Sequence, residues 1–315
     1  MAKVAIVGSG FIGRAWAITF ARGGHEVLLW DAAQGAASQA VDYIATVLPD
    51  LVQNDLLNGW SPDEILSRLK VVDRIEEALE DADHVQENTP ERLEVKREVF
   101  ARMDRLAPAK TVLASSTSAL LPSLFTDHLE GRHRCLVAHP INPPYLVPAA
   151  EVVPAPWTDQ AVVERTRDLL VSAGQAPIVM KRELDGFVMN RLQGALLEEA
   201  FRLVAEGYAS IEDVDIGIRD GLALRWSFMG PFETIDLNAP GGVRDYAERY
   251  GEMYGNLFKQ MQWRADWLGP VMDQIEADRR KKVAADDLQK RQIWRDKRLM
   301  ALVAHKRKAD KEIGK

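Results

Sequence analysis

The first thirty-one residues constrain this chain more than any other stretch. They read Lys3-Val-Ala-Ile-Val-Gly8-Ser-Gly10-Phe11-Ile12-Gly13, then a helical stretch, then Glu26-Val-Leu-Leu-Trp-Asp31. The apolar run 4–7 fits a strand buried on both faces, and residues 14–22 have helical spacing. Gly8 permits a tight turn, Gly10 lets the backbone approach a pyrophosphate, and Gly13 lets helix and strand pack closely. With Phe11 and Ile12 they form a turn whose free N–H groups face phosphate oxygens. Asp31 stands eighteen positions after Gly13, at the end of the second apolar run. A carboxylate there accepts hydrogen bonds from adenosine ribose hydroxyls and repels a 2′-phosphate. Ala32 and Ala33 offer no cation to hold that phosphate, so the turn reads as a site for NAD rather than NADP.

The chain of 315 residues has room for two domains. A net charge of −7 argues against a nucleic-acid partner for the whole molecule. Cys135 is the only cysteine, so no intrachain disulfide can form, and its apolar neighbours make it a buried strand residue rather than a nucleophile. The histidines form no metal-ligand spacing with it, and no metal is expected. Neither a leader nor a membrane-spanning run is visible, so a cytoplasmic protein without a membrane partner is expected.

Strands alternating with helices predict an α/β, doubly wound parallel sheet over residues 1–184. Pro49 is expected to bend or break the helical stretch 36–57. From Asp185 onward the chain reads as almost wholly helical, giving a second domain over 185–315 for substrate and dimerisation. Its long apolar helix, 187–206, suggests burial against another subunit, so a homodimer is expected. The Lys- and Arg-rich tail, 278–315, reads as a surface helix with its apolar side docked.

An enzyme that oxidises an alcohol with a nicotinamide needs a base, a partner that orients it, and donors for the substrate oxygen. In a doubly wound sheet these lie just past strand C-termini. Three stretches qualify: 114–118, 138–144 and the region of Glu151. His139 closes an apolar run and is hemmed in by Pro140, Pro143 and Pro144. Alone, His139 reads as a structural histidine and Glu151 as a sheet-rim carboxylate; together they fit a base and its orienter. Ser118 fits either a helix cap or a substrate contact.

The chain resembles the L-3-hydroxyacyl-CoA dehydrogenase family over nearly its whole length. The motifs that carry the resemblance are Gly8 to Gly13, Ser116-Thr-Ser118, His139-Pro-Ile-Asn142-Pro, Glu151-Val-Val-Pro154, Gly186-Phe-Val-Met-Asn190-Arg191 and Met229-Gly-Pro-Phe-Glu233. The stretches 139–145, 221–226 and 294–297 resemble the branch that contains lambda-crystallin and L-gulonate 3-dehydrogenase. The resemblance implies a Rossmann-like domain followed by a helical dimerising one. It implies His139 as general base with Glu151 orienting it, and Ser118 and Asn190 on the substrate oxygen. It places Glu91, Lys96, Ser118 and Asn142 near the NAD. Arg225 has no counterpart in the acyl-CoA enzymes: it fits an anchor for a small substrate's carboxylate, or an ion pair at a surface or interface. Dehydrogenation of a small free 3-hydroxy acid is therefore expected. The alternatives are a 3-hydroxyacyl-CoA enzyme, an L-carnitine enzyme with Tyr145, Trp226 and Phe228 caging the trimethylammonium, and a non-catalytic crystallin-like protein.

Overall fold

The structure, a computed structural model, describes residues 1–314. It divides into two compact units: Met1–Val188 with Asp296–Ala304, and Met189–Arg295 with the chain from His305 onward.

The first unit is built on eight strands: β1 (Lys3–Val7), β2 (Glu26–Trp30), β3 (Leu69–Val71), β4 (His84–Glu87), β5 (Val112–Ser115), β6 (Cys135–Pro140), β7 (Ala149–Pro154) and β8 (Ala176–Val179). They form one sheet in the order β3-β2-β1-β4-β5-β6-β7-β8. Pairings from β3 across to β6 are all parallel, which brings the C-terminal ends of β1, β4, β5 and β6 to one edge. The order reverses between β1 and β4, and the crevice outside such a reversal is where ligands bind.

Side chains alternate across β1. Val4 and Ile6 join one core with Trp16, Phe20, Ile44 and Leu48, while Ala5 and Val7 join another with Phe100, Phe125 and Phe187. A sheet covered on both faces explains the continuous apolar runs of its central strands.

Three features differ from the sequence expectation. The proline-flanked stretch after Leu146 supplies a strand, β7, which pairs antiparallel with β6. The helix Ala36–Gln53 runs unbroken through Pro49, with Leu48 and Leu51 fully buried on either side. The main segment of the first unit runs on to Val188, because Phe187 is buried in the second core. One segment of the tail packs within the first unit: Met300 of the helix Leu288–Ile313 enters the first core, flanked by Leu299 and Val303.

The second unit contains the helices Met189–Ala205, Ile211–Ile216, Pro231–Leu237, Gly242–Gln260 and Pro270–Lys282. Phe201 stacks on Trp267 with ring centroids 4.6 Å apart. Glu198 accepts from the Ala265 N–H and the Trp267 indole, so the first of these helices is tied to the segment before Pro270.

Candidate active site

The glycine turn has the form that a dinucleotide requires. Gly8 has φ +92°, and a Cβ on Gly13 would sit 2.0 Å from the Gly8 carbonyl oxygen. Gly10 opens on empty space, and the helix α1 (Phe11–Arg22) starts directly after it. The Asp31 carboxylate accepts from Ser9 N (2.7 Å), Ser9 Oγ (3.0 Å) and Ala33 N (2.9 Å), which holds it at the rim of the crevice. A cavity of about 620 Å³ opens beside it, between the ends of β2 and β3; it is lined by the carboxylates of Asp31 and Asp73 and by no basic side chain. The site therefore suits an unphosphorylated ribose. Asn142, in the loop after β6, has a buried Oδ1 without a hydrogen-bond partner among the described residues, an acceptor ready for an amide donor.

His139 and Glu151 lie directly opposite each other in the β6–β7 register. Opposed residues on neighbouring strands point to the same face, so the antiparallel turn-back brings the two side chains together. His139 Nδ1 lies 2.7 Å from Glu151 Oε2. The His139 side chain is 6% exposed and the Glu151 side chain fully buried. An ionised carboxylate can only accept, so Nδ1 carries the proton and Nε2 presents a lone pair. Glu151 Oε1 accepts the Val188 N–H at 2.7 Å. That N–H is aimed by the turn before it, where Gly186 (φ +76°) and Phe187 (φ +50°) both take left-handed backbone. Positive φ is costly for phenylalanine; its ring is fully buried, 5.6 Å from the His139 ring, and this packing holds it.

The loop after β5 is held by two carboxylates. Glu87, fully buried, accepts from Lys96 Nζ at 2.8 Å, from Ser115 Oγ at 2.6 Å, and from the Thr89 N–H and hydroxyl. Glu91 accepts from the Thr117 hydroxyl, from Ser118 N at 2.9 Å and from Ala119 N at 3.1 Å. Lys96 is itself buried, and its ammonium is committed to Glu87 and the Thr89 carbonyl, with Glu91 3.7 Å away. It supports the ledge that carries Ser118.

Thus the first unit gathers Gly8, Gly10, Phe11, Ile12, Gly13, Asp31, Glu91, Ser118, Asn142, His139 and Glu151 along the C-terminal edge of its sheet and the loops beyond it. Asn190 and Arg225 belong to the second unit. There Arg225 donates to Asn238 Oδ1 at 3.3 Å and has no carboxylate within ion-pair distance among the described residues. Tyr145 is 4% exposed and packed in the first core, so it is withdrawn from any aromatic cage. Sequence reasoning missed the Val188 N–H and Glu87. The signal for Glu87 was the polar pair Gln86-Glu87 inside a strand buried on both faces, a costly placement unless fully hydrogen-bonded.

An imidazole held in this tautomer can take a hydroxyl proton on Nε2 while the buried carboxylate stabilises the resulting cation. NAD bound at the glycine turn supplies the hydride acceptor.

Comparison with known proteins agrees with this geometry. Residues 3–183 match the model of the 3-hydroxyacyl-CoA dehydrogenase NAD binding domain, and residues 186–269 match that of the C-terminal domain of the same enzymes. Lambda-crystallin of Oryctolagus cuniculus is 41% identical over 307 residues, 96% of each chain. L-carnitine dehydrogenase of Streptomyces griseus is 42% identical over 250 residues, 79% of this chain and 73% of that one. Among solved structures, an NAD+-dependent dismutase, 5-formyl-3-hydroxy-2-methylpyridine 4-carboxylic acid 5-dehydrogenase, superposes with a TM-score of 0.81 at 28% identity, covering 98% of each chain. The 3-hydroxybutyryl-CoA dehydrogenase of Escherichia coli is 34% identical with a TM-score of 0.66, over 75% of this chain and 49% of that one. The glycine turn, the buried histidine–glutamate pair and these likenesses together establish that the chain belongs to the 3-hydroxyacyl-CoA dehydrogenase family, as an NAD-dependent oxidoreductase.

Proposed function

We propose that the protein oxidises the 3-hydroxyl of a small free hydroxy acid, with L-gulonate the leading substrate. His139 takes the hydroxyl proton, Glu151 orients and stabilises it, Ser118 and Asn190 hold the substrate oxygen, and Arg225 holds the carboxylate. The observation that carries the chemistry is the buried 2.7 Å contact between His139 Nδ1 and Glu151 Oε2. A non-catalytic crystallin role would not require a costly buried pair at the same edge of the sheet as the dinucleotide turn.

The carboxylate reading rests on Arg225, whose guanidinium has no carboxylate partner within the described residues. A guanidinium matches a carboxylate bidentately. Two of the similar proteins are named for free acids: carnitine, and a pyridine carboxylic acid. Within that class the full-length match to lambda-crystallin favours the gulonate branch, and the buried position of Tyr145 weighs against a trimethylammonium cage. Leu192, 62% exposed on the helix Met189–Ala205, and Phe228 and Phe232, at 71% and 80%, support a homodimer formed by the second unit.

The test is NADH formation with L-gulonate, L-carnitine, 3-hydroxybutyrate and 3-hydroxybutyryl-CoA, each repeated with Arg225→Met. Turnover of a free acid, with KM raised about tenfold or more by Arg225→Met and NADH affinity unchanged, supports the reading. Preference for the acyl-CoA, or a KM that Arg225→Met leaves unaltered, overturns the small-acid assignment.

A further inference from the structure

A second buried polar system lies behind the catalytic pair and is not used by it. His84 Nε2 lies 3.1 Å from Gln86 Oε1. Gln86 Nε2 donates to Ser116 Oγ at 2.6 Å and to the Ala138 carbonyl at 3.0 Å. Ser116 Oγ accepts a further bond from the Trp16 indole at 3.0 Å and donates to Asn88 Oδ1 at 2.8 Å. Asn88 Nδ2 donates to the Gly8 carbonyl at 3.2 Å and to the Gln86 carbonyl at 2.8 Å.

Donor and acceptor capacity fixes the direction of this chain. Gln86 spends both amide hydrogens on carbonyl and hydroxyl oxygens, so its Oε1 must accept, and His84 carries its proton on Nε2. The hydroxyl of Ser116 accepts two bonds and gives one, which saturates it. Donation therefore runs one way, from His84 through Gln86, Ser116 and Asn88 to Gly8, and bonds aligned in this manner polarise one another.

What the system touches gives it meaning. The Gly8 carbonyl is the atom against which Gly13 closes the dinucleotide turn. Trp16 sits on α1, whose N-terminus faces that turn. Ala138 immediately precedes His139 on β6. Ser116 thus ties together the turn, the helix behind it, and the strand that carries the base. The bonds come from β4 and from Asn88 and Ser116, the residues directly after β4 and β5, the two strands that separate β1 from β6 in the sheet.

We propose that Ser116, with Gln86 and Asn88, is a positioning centre that holds the NAD-binding turn and the His139 strand at one fixed separation. They act through Gly8 and Ala138, whose carbonyls accept from Asn88 and Gln86. The role in turnover rests on the function proposed above, but the effect on the turn does not, and the experiment separates the two.

The variants are Ser116→Ala and Asn88→Ala. The control is Thr126→Val, which removes a fully buried hydroxyl that likewise accepts a tryptophan indole, Trp157 at 3.1 Å, in the same unit but away from the turn. NADH affinity is read by fluorescence titration and thermal stability by calorimetry. With a substrate in hand, kcat, KM and the primary deuterium isotope effect on kcat/KM are added. Both test variants are expected to weaken NADH binding about five- to twentyfold, while Thr126→Val loses similar stability and keeps wild-type affinity. They are also expected to lower kcat about tenfold or more with little change in substrate KM, and to raise the isotope effect as hydride transfer becomes limiting. NADH affinity within twofold of wild type in both variants, or equal losses in Thr126→Val, overturns the proposal. Wild-type protein that binds NADH but turns over none of the tested hydroxy acids overturns the functional reading and leaves the titration to decide this one.

Discussion

Replacing Glu151 by glutamine keeps the shape of the pair proposed to act as base and orienter, and inverts its chemistry. Glu151 is fully buried and both its oxygens are committed, Oε1 to the Val188 N–H and Oε2 to His139 Nδ1, each at 2.7 Å. A glutamine amide has one accepting end. Facing the Val188 N–H with its NH2 group would set donor against donor, so the oxygen stays there and the NH2 group turns to His139. The imidazole must then accept at Nδ1 and carry its proton on Nε2, the position that has to be empty to take the hydroxyl proton. Glu151→Gln also removes the negative charge that offsets the imidazolium. In hydrolases built on the same pairing, locking the histidine in the wrong tautomer costs about 10⁴ in turnover, or about 5 kcal/mol of barrier. We expect kcat for NADH formation to fall about 10³–10⁴-fold, with NADH affinity within about twofold of wild type because Glu151 does not reach the glycine turn. Glu151→Asp keeps the charge but shortens the reach, and should lose roughly 10–100-fold. The assay is steady-state NADH absorbance beside a fluorescence titration of NADH. A Glu151→Gln enzyme within tenfold of wild-type kcat would refute the tautomer argument.

Two further perturbations probe other parts of the account. Gly13→Ala puts a Cβ 2.0 Å from the Gly8 carbonyl oxygen, so the turn must open; NADH affinity should fall at least about tenfold and stability by about 1–3 kcal/mol, as read by titration and denaturant unfolding. Burial lowers the His84 pKa from 6.5 to about 4. The unfolded state therefore binds the extra proton across that window, and stability falls as pH drops through it. From pH 7 to 5 the loss from this group is about 2 kcal/mol, and His84→Gln should shrink the measured decline by about that amount; an undiminished decline would contradict it.

The fold was largely legible because its signals are local. The buried strand, the three glycines and Asp31 state the dinucleotide unit within one supersecondary motif, and a sheet buried on both faces writes itself as apolar runs. The features that were missed depend on pairing between distant segments. Strand β7 lies between Pro148 and Pro154, residues that signal loop or strand edge, and nothing in its residues declares that it runs back along β6. Yet that antiparallel turn sets Glu151 opposite His139. The Val188 N–H is a backbone group and has no side-chain signature at all; only the left-handed turn at Gly186 and Phe187 reveals its role. Lys96 shows the converse. The family resemblance places it near the NAD, and nothing in the sequence shows that the buried Glu87 draws its ammonium inward. Pro49 likewise reads as a break, but two fully buried leucines hold the helix across it.

The most direct test of the central claim is turnover by His139→Ala, measured as NADH formation from the best free 3-hydroxy acid and paired with an NADH titration of the same preparation. Loss of at least about 10³-fold in kcat with NADH affinity unchanged is the expected result. Turnover within tenfold of wild type would show that another group takes the proton.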